Sequence, residues 1–209
     1  KDALEITGTI IYVGINGGYG GLITISDKTK DDSRSTINDL RKMGVKRLIM
    51  LTGDTPETGE KIGKELGLDK VYSGLLPAEK VEIIESLEKD KPSKGKLIFV
   101  GDGINDAPVL ARADIGAAMG GLGSDAAIEA ADIVLMTDEP SKLISGIKIA
   151  NKTSRVVWQN IYFSLGVKVI VLILGATGVA TLWEAVFADV GVALLAVLNS
   201  LRLLRADID

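Results

Sequence analysis

Two stretches near the end of the chain, residues 156–174 and 179–201, are almost free of charge. A helix needs about 20 apolar residues to cross a hydrocarbon core of about 30 Å, and each stretch is near that length. Only Gly175, Ala176, Thr177 and Gly178 separate them, which predicts a tight turn and a helical hairpin in a membrane. A hairpin buried inside a soluble protein is the alternative, and the two runs are longer than ordinary globular helices. Lys142, Lys148, Lys152 and Arg155 precede the first run, and Arg202 and Arg205 follow the second. The excess of positive charge at both ends predicts that they lie in the cytoplasm, with the turn facing outward.

Residues 45–136 have a different rhythm. Short β-rich runs (VKRLIML, Val71-Tyr72, KLIFV, DIGAAM, DIVLM) alternate with helical patterns at 56–66, 77–87 and 124–131. That alternation predicts an α/β domain with a parallel sheet and crossover helices. Thr55 before Pro56 reads as a helix start and Gly67 as its stop. In the second helix Val81, Ile83, Ile84 and Leu87 share one face, while Glu79, Lys80, Glu82 and Glu85 leave it and are expected to be mostly solvated. Upstream, TIIYVGI and GLITIS flank Asn16-Gly17-Gly18, a β-hairpin pattern. The polar stretch SDKTKDDS at 26–33 reads as a junction leading into a helix capped by Asp32 or Ser33. The expected plan is a hairpin remnant at 1–26, the α/β domain at 27–140, a helical linker at 141–155 and the transmembrane helix pair at 156–204.

Composition narrows the chemistry. The 209 residues are 46% hydrophobic and 25% charged, with a net charge of −4, a pI near 5.0 and a mean hydropathy of +0.27. No broad cationic surface is available for nucleic acid phosphates, so nucleic acid is not an expected partner. The chain has no Cys and no His, which excludes disulfides, Cys/His zinc sites, thiol nucleophiles and a Ser-His-Asp triad. Any metal must be held by oxygen. The opening KDALEITGTI has no apolar core and no cleavage site of the secretory kind.

Polar residues stand out in both halves. Lys168 and Asp189 lie inside the apolar runs, where an ionisable group costs upwards of ~2.5 kcal/mol unless paired or hydrated. At ~1.5 Å per residue they sit ~9 Å and ~15 Å from the turn, a difference that a lysine stem can span, so a pair is expected. A permanent structural ion pair is the plainer alternative. Glu184, beside Trp183 and nearer the turn, reads as an interfacial acid. In the α/β part, VKRLIML ends in Thr52-Gly53-Asp54, and KLIFV ends in Gly101-Asp102-Gly103-Ile104-Asn105-Asp106-Ala107-Pro108. Ligands of open parallel sheets gather outside the carboxyl ends of the strands. A Thr hydroxyl and free backbone N–H groups ahead of a helix suit a phosphate oxygen, and Asp102 with Asp106 around a glycine turn suits Mg²⁺. TGD alone is weak, being common in turns, whereas GDGINDAP concentrates acids and glycines that a fold ordinarily avoids.

TGD, the lysine of PAEKVEII and GDGINDAP together resemble the phosphorylation domain of P-type ATPases, within the haloacid dehalogenase superfamily. GDGINDAPVLARADIGAAMGGLGSDAAIEAADIVLM is similar to the heavy-metal (type IB) class. NIYFSLGVK with LWEAVFADVGVALLAVLNSLRLL resembles the zinc, cadmium and lead exporters, whose last two membrane helices carry this Lys and this Asp. The resemblance spans essentially the whole chain. It implies that residues 1–26 end a nucleotide-binding domain, that ATP is the substrate and Mg²⁺ the cofactor, and that a divalent cation crosses the bilayer through an aspartyl-phosphate cycle. It assigns Thr52, with Gly53 and Asp54, to a phosphoryl oxygen, Lys80 to its charge, Asp102 to Mg²⁺, and Asn105 and Asp106 to orienting the ion and its waters. Asp189 becomes a ligand of the transported cation and Lys168 its counter-charge when the site empties.

The family's DKTGT motif with the phosphorylated Asp, its Cys-Pro-Cys motif and its TGE are not in this chain, and the DKTK at 27–30 lacks the glycine. The chain is therefore expected to be a C-terminal piece, inactive alone and working with the remainder of the same pump. Two rival readings are a membrane-anchored phosphatase of the same superfamily and a catalytically dead regulatory or assembly subunit.

Overall fold

The computed structural model describes residues 9–25, 29–101, 104–120 and 125–204. The chain divides into two compact units, with the boundary after Lys142.

In the first unit β1 (Thr9–Ile15) and β2 (Gly18–Ile25) pair antiparallel, with a bulge between Val13 and Gly14. Asn16 and Gly17 make the turn, at φ of 52° and 79°. Two residues of positive φ match the right-handed twist of the strands, which is why Asn-Gly is favoured there. The expected hairpin is present, with Gly18 already in the second strand.

Next come α1 (Ser33–Lys42), β3 (Ile49–Leu51), α2 (Pro56–Leu66), β4 (Lys70–Tyr72) and α3 (Pro77–Asp90). They are followed by β5 (Ile98–Gly101), a single 3-10 turn (Ile104–Asp106), α4 (Ala107–Leu110), β6 (Ile115–Met119), α5 (Asp125–Ala130) and β7 (Ile133–Leu135). β3 and β4 pair in parallel, and β5, β6 and β7 form a second parallel group in that order. Among the described residues β3 pairs only with β4, and β5 only with β6. One core nevertheless serves both groups. Ile84 and Leu87 of α3, Phe99, Val109, Leu110, Ala118 and Ala127 are buried together, and Ile49 and Leu51 of β3 pack against them.

The helix signals read from the sequence hold. Thr55 accepts from Thr58 N at the start of α2, and Gly67 closes it at φ 72°. Asp32 departs from expectation. It holds the N-cap position of α1, but its side chain makes no cap bond there; the carboxylate accepts instead from Ser141 N at 2.9 Å.

β3 and β5 begin later than their apolar runs, with an aspartate at each short end, and a third aspartate serves a backbone donor in β6. Leu48 N donates to Asp69 Oδ2 (2.7 Å), Leu97 N to Asp114 Oδ2 (2.8 Å) and Gly116 N to Asp132 Oδ2 (2.9 Å). In each case the carboxylate lies just before the neighbouring strand and replaces a ladder acceptor that the backbone does not supply. The hydrogen bond from Leu48 N, then the Arg41 guanidinium, holds the Asp69 carboxyl below its usual range. Asp114 is held lower still, first by the Lys91 ammonium and then by Leu97 N–H.

The second unit holds most of α6 (Ser141–Ala176), a continuous helix of 36 residues, and α7 (Leu182–Leu201). At 1.5 Å per residue α6 is about 54 Å long. It runs without interruption through both the stretch read as a linker and the first apolar run. Both helices are long and apolar enough to cross a membrane. The turn falls later than its glycines suggested: Gly175 and Ala176 are still helical, and α7 begins only after Thr181. Glu184 accepts from Thr181 N in a capping box, which satisfies a backbone donor that no preceding turn could reach. The acid read as interfacial is thus also the cap of α7.

Candidate functional site

The loop after β3 is held by backbone bonds to the loop after β4. Thr52 N donates to Tyr72 O (2.9 Å), Leu75 N to Thr52 O (3.1 Å) and Gly74 N to Asp54 O (2.7 Å). Gly53 lies close under this clasp; a Cβ there would stand 3.4 Å from Leu75 O. Thr52 Oγ1 donates to Asp54 Oδ2 at 2.8 Å and accepts from Asp54 N at 3.1 Å. The hydroxyl and a backbone N–H thus converge on one point at a strand's carboxyl end, before the N-terminus of α2, and Asp54 currently occupies the hydroxyl.

The loop after β5 meets α3. Lys80 Nζ lies 2.8 Å from Asp106 Oδ1, and the two side chains are only 17% and 13% exposed. Lys80 therefore does not share the solvated fate expected for its helix face. Pro77 and the bond that Leu76 N donates to Glu79 Oε2 (2.8 Å) start α3 just ahead of it, so its stem rises from the first turn toward the 3-10 segment that carries Asp106. Gly101 makes room for this: a Cβ there would stand 2.9 Å from both Asp106 Cβ and Oδ2, and 2.9 Å from Phe99 Cε1. Asn105, in the same short turn, is exposed. Asp102 and Gly103 lie outside the described residues. Among the described residues no group of three or more acids is placed to hold a metal ion.

In the second unit the pairing expected from the sequence is present: Lys168 Nζ is 3.2 Å from Asp189 Oδ1. The pair opens on a cavity of about 280 Å³ whose other walls are apolar, including Val167, Val171, Ala185 and Val192.

A second polar contact between the same helices went unread in the sequence. Asn160 Nδ2 donates to Ser200 Oγ (3.0 Å) and to Ala196 O (3.2 Å), and Asn199 Nδ2 donates to Asn160 Oδ1 (2.9 Å). Ser200 in turn donates to Ala196 O. The signal was spacing. Ser200 follows Asp189 by eleven residues, close to three helical turns, which carries it to the face of Asp189; Asn160 precedes Lys168 by eight, about 80° round the helix.

Residues 1–114 match the family described as haloacid dehalogenase-like hydrolase. The chain is similar to the "Cadmium, zinc and cobalt-transporting ATPase" of Bacillus subtilis (strain 168), 60% identical over 201 residues that make up 96% of this chain and 29% of that protein. It is 54% identical to the "Zinc-transporting ATPase" of Synechocystis sp. over 98% of this chain and 28% of that protein. A crystal structure of a zinc-transporting PIB-type ATPase in the E2.Pi state superposes with a TM-score of 0.82 at 40% identity, covering 93% of this chain and 31% of that one. The chain thus spans less than a third of the length of these relatives. With more than half of its length in the hydrolase family and nearly all of it in these transporters, the chain belongs to the haloacid dehalogenase-like hydrolases, in their type IB P-type ATPase branch.

Proposed function

We propose that this chain is the later part of the phosphorylation domain and the last helix pair of an ATP-driven pump that exports divalent heavy-metal cations. The observation that carries the reading is the Lys168–Asp189 pair at 3.2 Å inside two apolar helices, on a chain whose first unit holds a half-buried Lys–Asp pair at a strand's carboxyl end. An anchor alone would need neither charge in its membrane segments. Residues 1–26 belong to a nucleotide-binding domain, 27–140 to the phosphorylation domain, 141–155 to a cytoplasmic stretch of α6 and 156–204 to the membrane pair. The domain lies on the cytoplasmic side and the turn after Ala176 faces outward. The phosphorylated Asp lies in a DKTGT motif elsewhere in the pump.

Phosphoryl transfer needs positioning and charge neutralisation more than covalent help from the protein. Thr52 Oγ1, released from Asp54, donates to a phosphoryl oxygen, and the backbone of Gly53 allows its close approach. Lys80, already fixed on Asp106, offers its remaining N–H donors to the same group. The donors at the β5 loop are all oxygen, and Gly101 leaves open the space in which the Asp106 carboxylate sits. Such a set suits a hard cation, with Asp102 as ligand and Asn105 and Asp106 ordering its surroundings. When bound, Mg²⁺ neutralises charge on the phosphoryl oxygens.

In the membrane, Asp189 ligates the cation, displacing the Lys168 ammonium, and Lys168 returns to the carboxylate when the cation leaves. Both charge states of the pump then keep the buried carboxylate compensated. The cargo is zinc or cadmium, with cobalt as named for the Bacillus subtilis relative; lead is proposed from the sequence resemblance alone. The test is zinc-stimulated ATP hydrolysis by the intact pump. Asp189→Ala and Asp189→Asn are expected to abolish stimulation while the protein still folds, and Lys168→Ala to leave metal binding but impair the metal-free state. Zinc-stimulated turnover restored in Lys168→Ala/Asp189→Ala would reject Asp189 as a ligand and leave a structural ion pair.

A further inference from the structure

α6 carries five basic residues and no acid, and from Pro140 to Trp183 the chain has neither Asp nor Glu. Lys168 is accounted for by Asp189 and Lys142 by Glu139. Lys148, Lys152 and Arg155 are exposed, and among the described residues none of them enters an ion pair. Leu143 and Ile144, at the foot of the helix, are buried, so this open stretch begins beyond them. Where it ends, Trp158 stacks on Tyr162, with ring centroids 5.5 Å apart and planes 28° from parallel. Both aromatic residues are exposed, at 53% and 69%.

These five side chains share one face. At about 100° per residue, Lys148, Lys152, Trp158 and Tyr162 all lie within about 60° of Arg155. Asn160 and Lys168, which meet α7, lie about 140° from it on either side. The face is therefore turned away from the seam of the helix pair, and α7 does not neutralise it. Val156 opens the apolar run, and a headgroup layer extends about 5–7 Å beyond the hydrocarbon. At ~1.5 Å per residue Arg155 and Lys152 fall inside that layer. Lys148 lies a few ångströms outside it, within the ~8 Å over which charges act at physiological ionic strength. Trp158 and Tyr162 lie about 3 Å and 9 Å on the hydrocarbon side. Helix side chains incline toward the N-terminus, here the headgroup side, so the indole N–H and phenol O–H approach the polar boundary while the rings stay in lipid.

We infer that Lys148, Lys152, Arg155, Trp158 and Tyr162 form a binding site for the headgroup and glycerol region of an anionic phospholipid. The inference takes from the reading above that α6 crosses the bilayer, and the cytoplasmic leaflet follows from the orientation given there. Three cations on a helix without acids favour a lipid of net negative charge over a zwitterionic one, and each is worth roughly fivefold in affinity at an anionic surface. The stacked rings add an apolar ledge beside the upper acyl chains, which a free phosphate cannot use.

The experiment places the intact pump in phosphatidylcholine vesicles containing a trace of photoactivatable lipid, with the reactive group next to the headgroup. The probe is phosphatidylglycerol or, in parallel, phosphatidylcholine, and crosslinks to residues 148–162 are mapped by peptide mass spectrometry. The parent is expected to give at least fivefold more crosslinking with phosphatidylglycerol. In Lys148→Gln/Lys152→Gln/Arg155→Gln that ratio is expected to fall to within twofold of one, while the charge-preserving Lys148→Arg/Lys152→Arg keeps it. A ratio unchanged in the triple variant overturns the inference. So does the absence of crosslinks from either probe in the parent, which would mean that another part of the pump covers this face. Loss of the preference in millimolar inorganic phosphate at constant ionic strength would show a site for free anions and overturn it too. A parent that prefers phosphatidylglycerol here but shows no zinc-stimulated ATP hydrolysis removes the pump reading and leaves the lipid site standing.

Discussion

Replacing Lys80 by Met keeps an unbranched apolar stem and deletes the ammonium, leaving Asp106 charged in a site where it is 13% exposed. A solvent-exposed pair would lose at most about 1 kcal/mol from such a change. Here Nζ and Oδ1 are 2.8 Å apart and both side chains are largely covered. At an effective dielectric of about 20 their attraction is roughly 6 kcal/mol, much of which the desolvation of two charges cancels. One-sided removal of a buried pair costs about 3–5 kcal/mol because the remaining charge is stranded. Some solvent still reaches this pair, which puts the expected loss near the lower end, about 3 kcal/mol for Lys80→Met. Asp106→Asn is expected to lose less, since the amide oxygen still accepts from Lys80. Combining the two changes should recover about 2 kcal/mol relative to additivity. Both tryptophans, Trp158 and Trp183, lie in α6 and α7, so their fluorescence does not report this site. Native-state hydrogen exchange of the amides of β5 and α4 in the detergent-solubilised chain does. Exchange free energies within 0.5 kcal/mol of the parent for Lys80→Met, with no coupling to Asp106→Asn, would refute the reasoning, because the pair would then be behaving as a surface contact.

Gly101→Ala drives a methyl to within 2.9 Å of Asp106 and Phe99, so it is expected to lose about 1–3 kcal/mol and shift the carboxylate off Lys80, measurable by the same exchange experiment. Asp114 is held below its usual range in the folded chain, first by Lys91, so its contribution to stability is present above the unfolded pKa and is lost as pH falls toward the folded one; unfolding curves recorded below pH 4 should converge for the parent and Asp114→Asn. Lys91, raised by the same bond, loses its contribution only as pH rises beyond its ordinary range near 10.5. Asn160→Leu removes the hydrogen bonds that join α6 to Ser200, Ala196 and Asn199 and is expected to weaken the hairpin by about 1–2 kcal/mol, followed through Trp158 and Trp183 fluorescence in denaturing mixed micelles.

How much of this was legible follows from which interactions are local. Helix starts and stops depend on a few adjacent residues, so Thr55-Pro56 and Gly67 predicted α2 to the residue. Periodicity likewise located α2, α3, α5, the apolar helices and the strand runs, though not α4 or the 3-10 turn before it, and the lone charges Lys168 and Asp189 announced their pairing because hydrocarbon offers them no other partner. Long-range polar contacts were another matter. Asp32 looked like a local cap because Asp, Ser and Thr before a helix ordinarily serve the helix that follows, and nothing within ten residues of it reveals a competing donor 109 positions away. From its helix face alone Lys80 read as solvated while the resemblance placed it at the phosphoryl group; its partner Asp106 was not legible, because only the return of the chain through the Gly101 loop brings that carboxylate to it. The short strands carry the same lesson: Asp69, Asp114 and Asp132 each precede a strand, a repeat visible in the sequence, but their use is to complete the neighbouring strand. In all three situations a carboxylate accepts a hydrogen bond, and for Asp32 and the strand aspartates the donor is a backbone N–H left over by secondary structure elsewhere. Sequence reading finds such acids as exceptions to the apolar pattern, but it assigns them to the nearest orphan donor, and the fold decides between that donor and a distant one by where the chain returns.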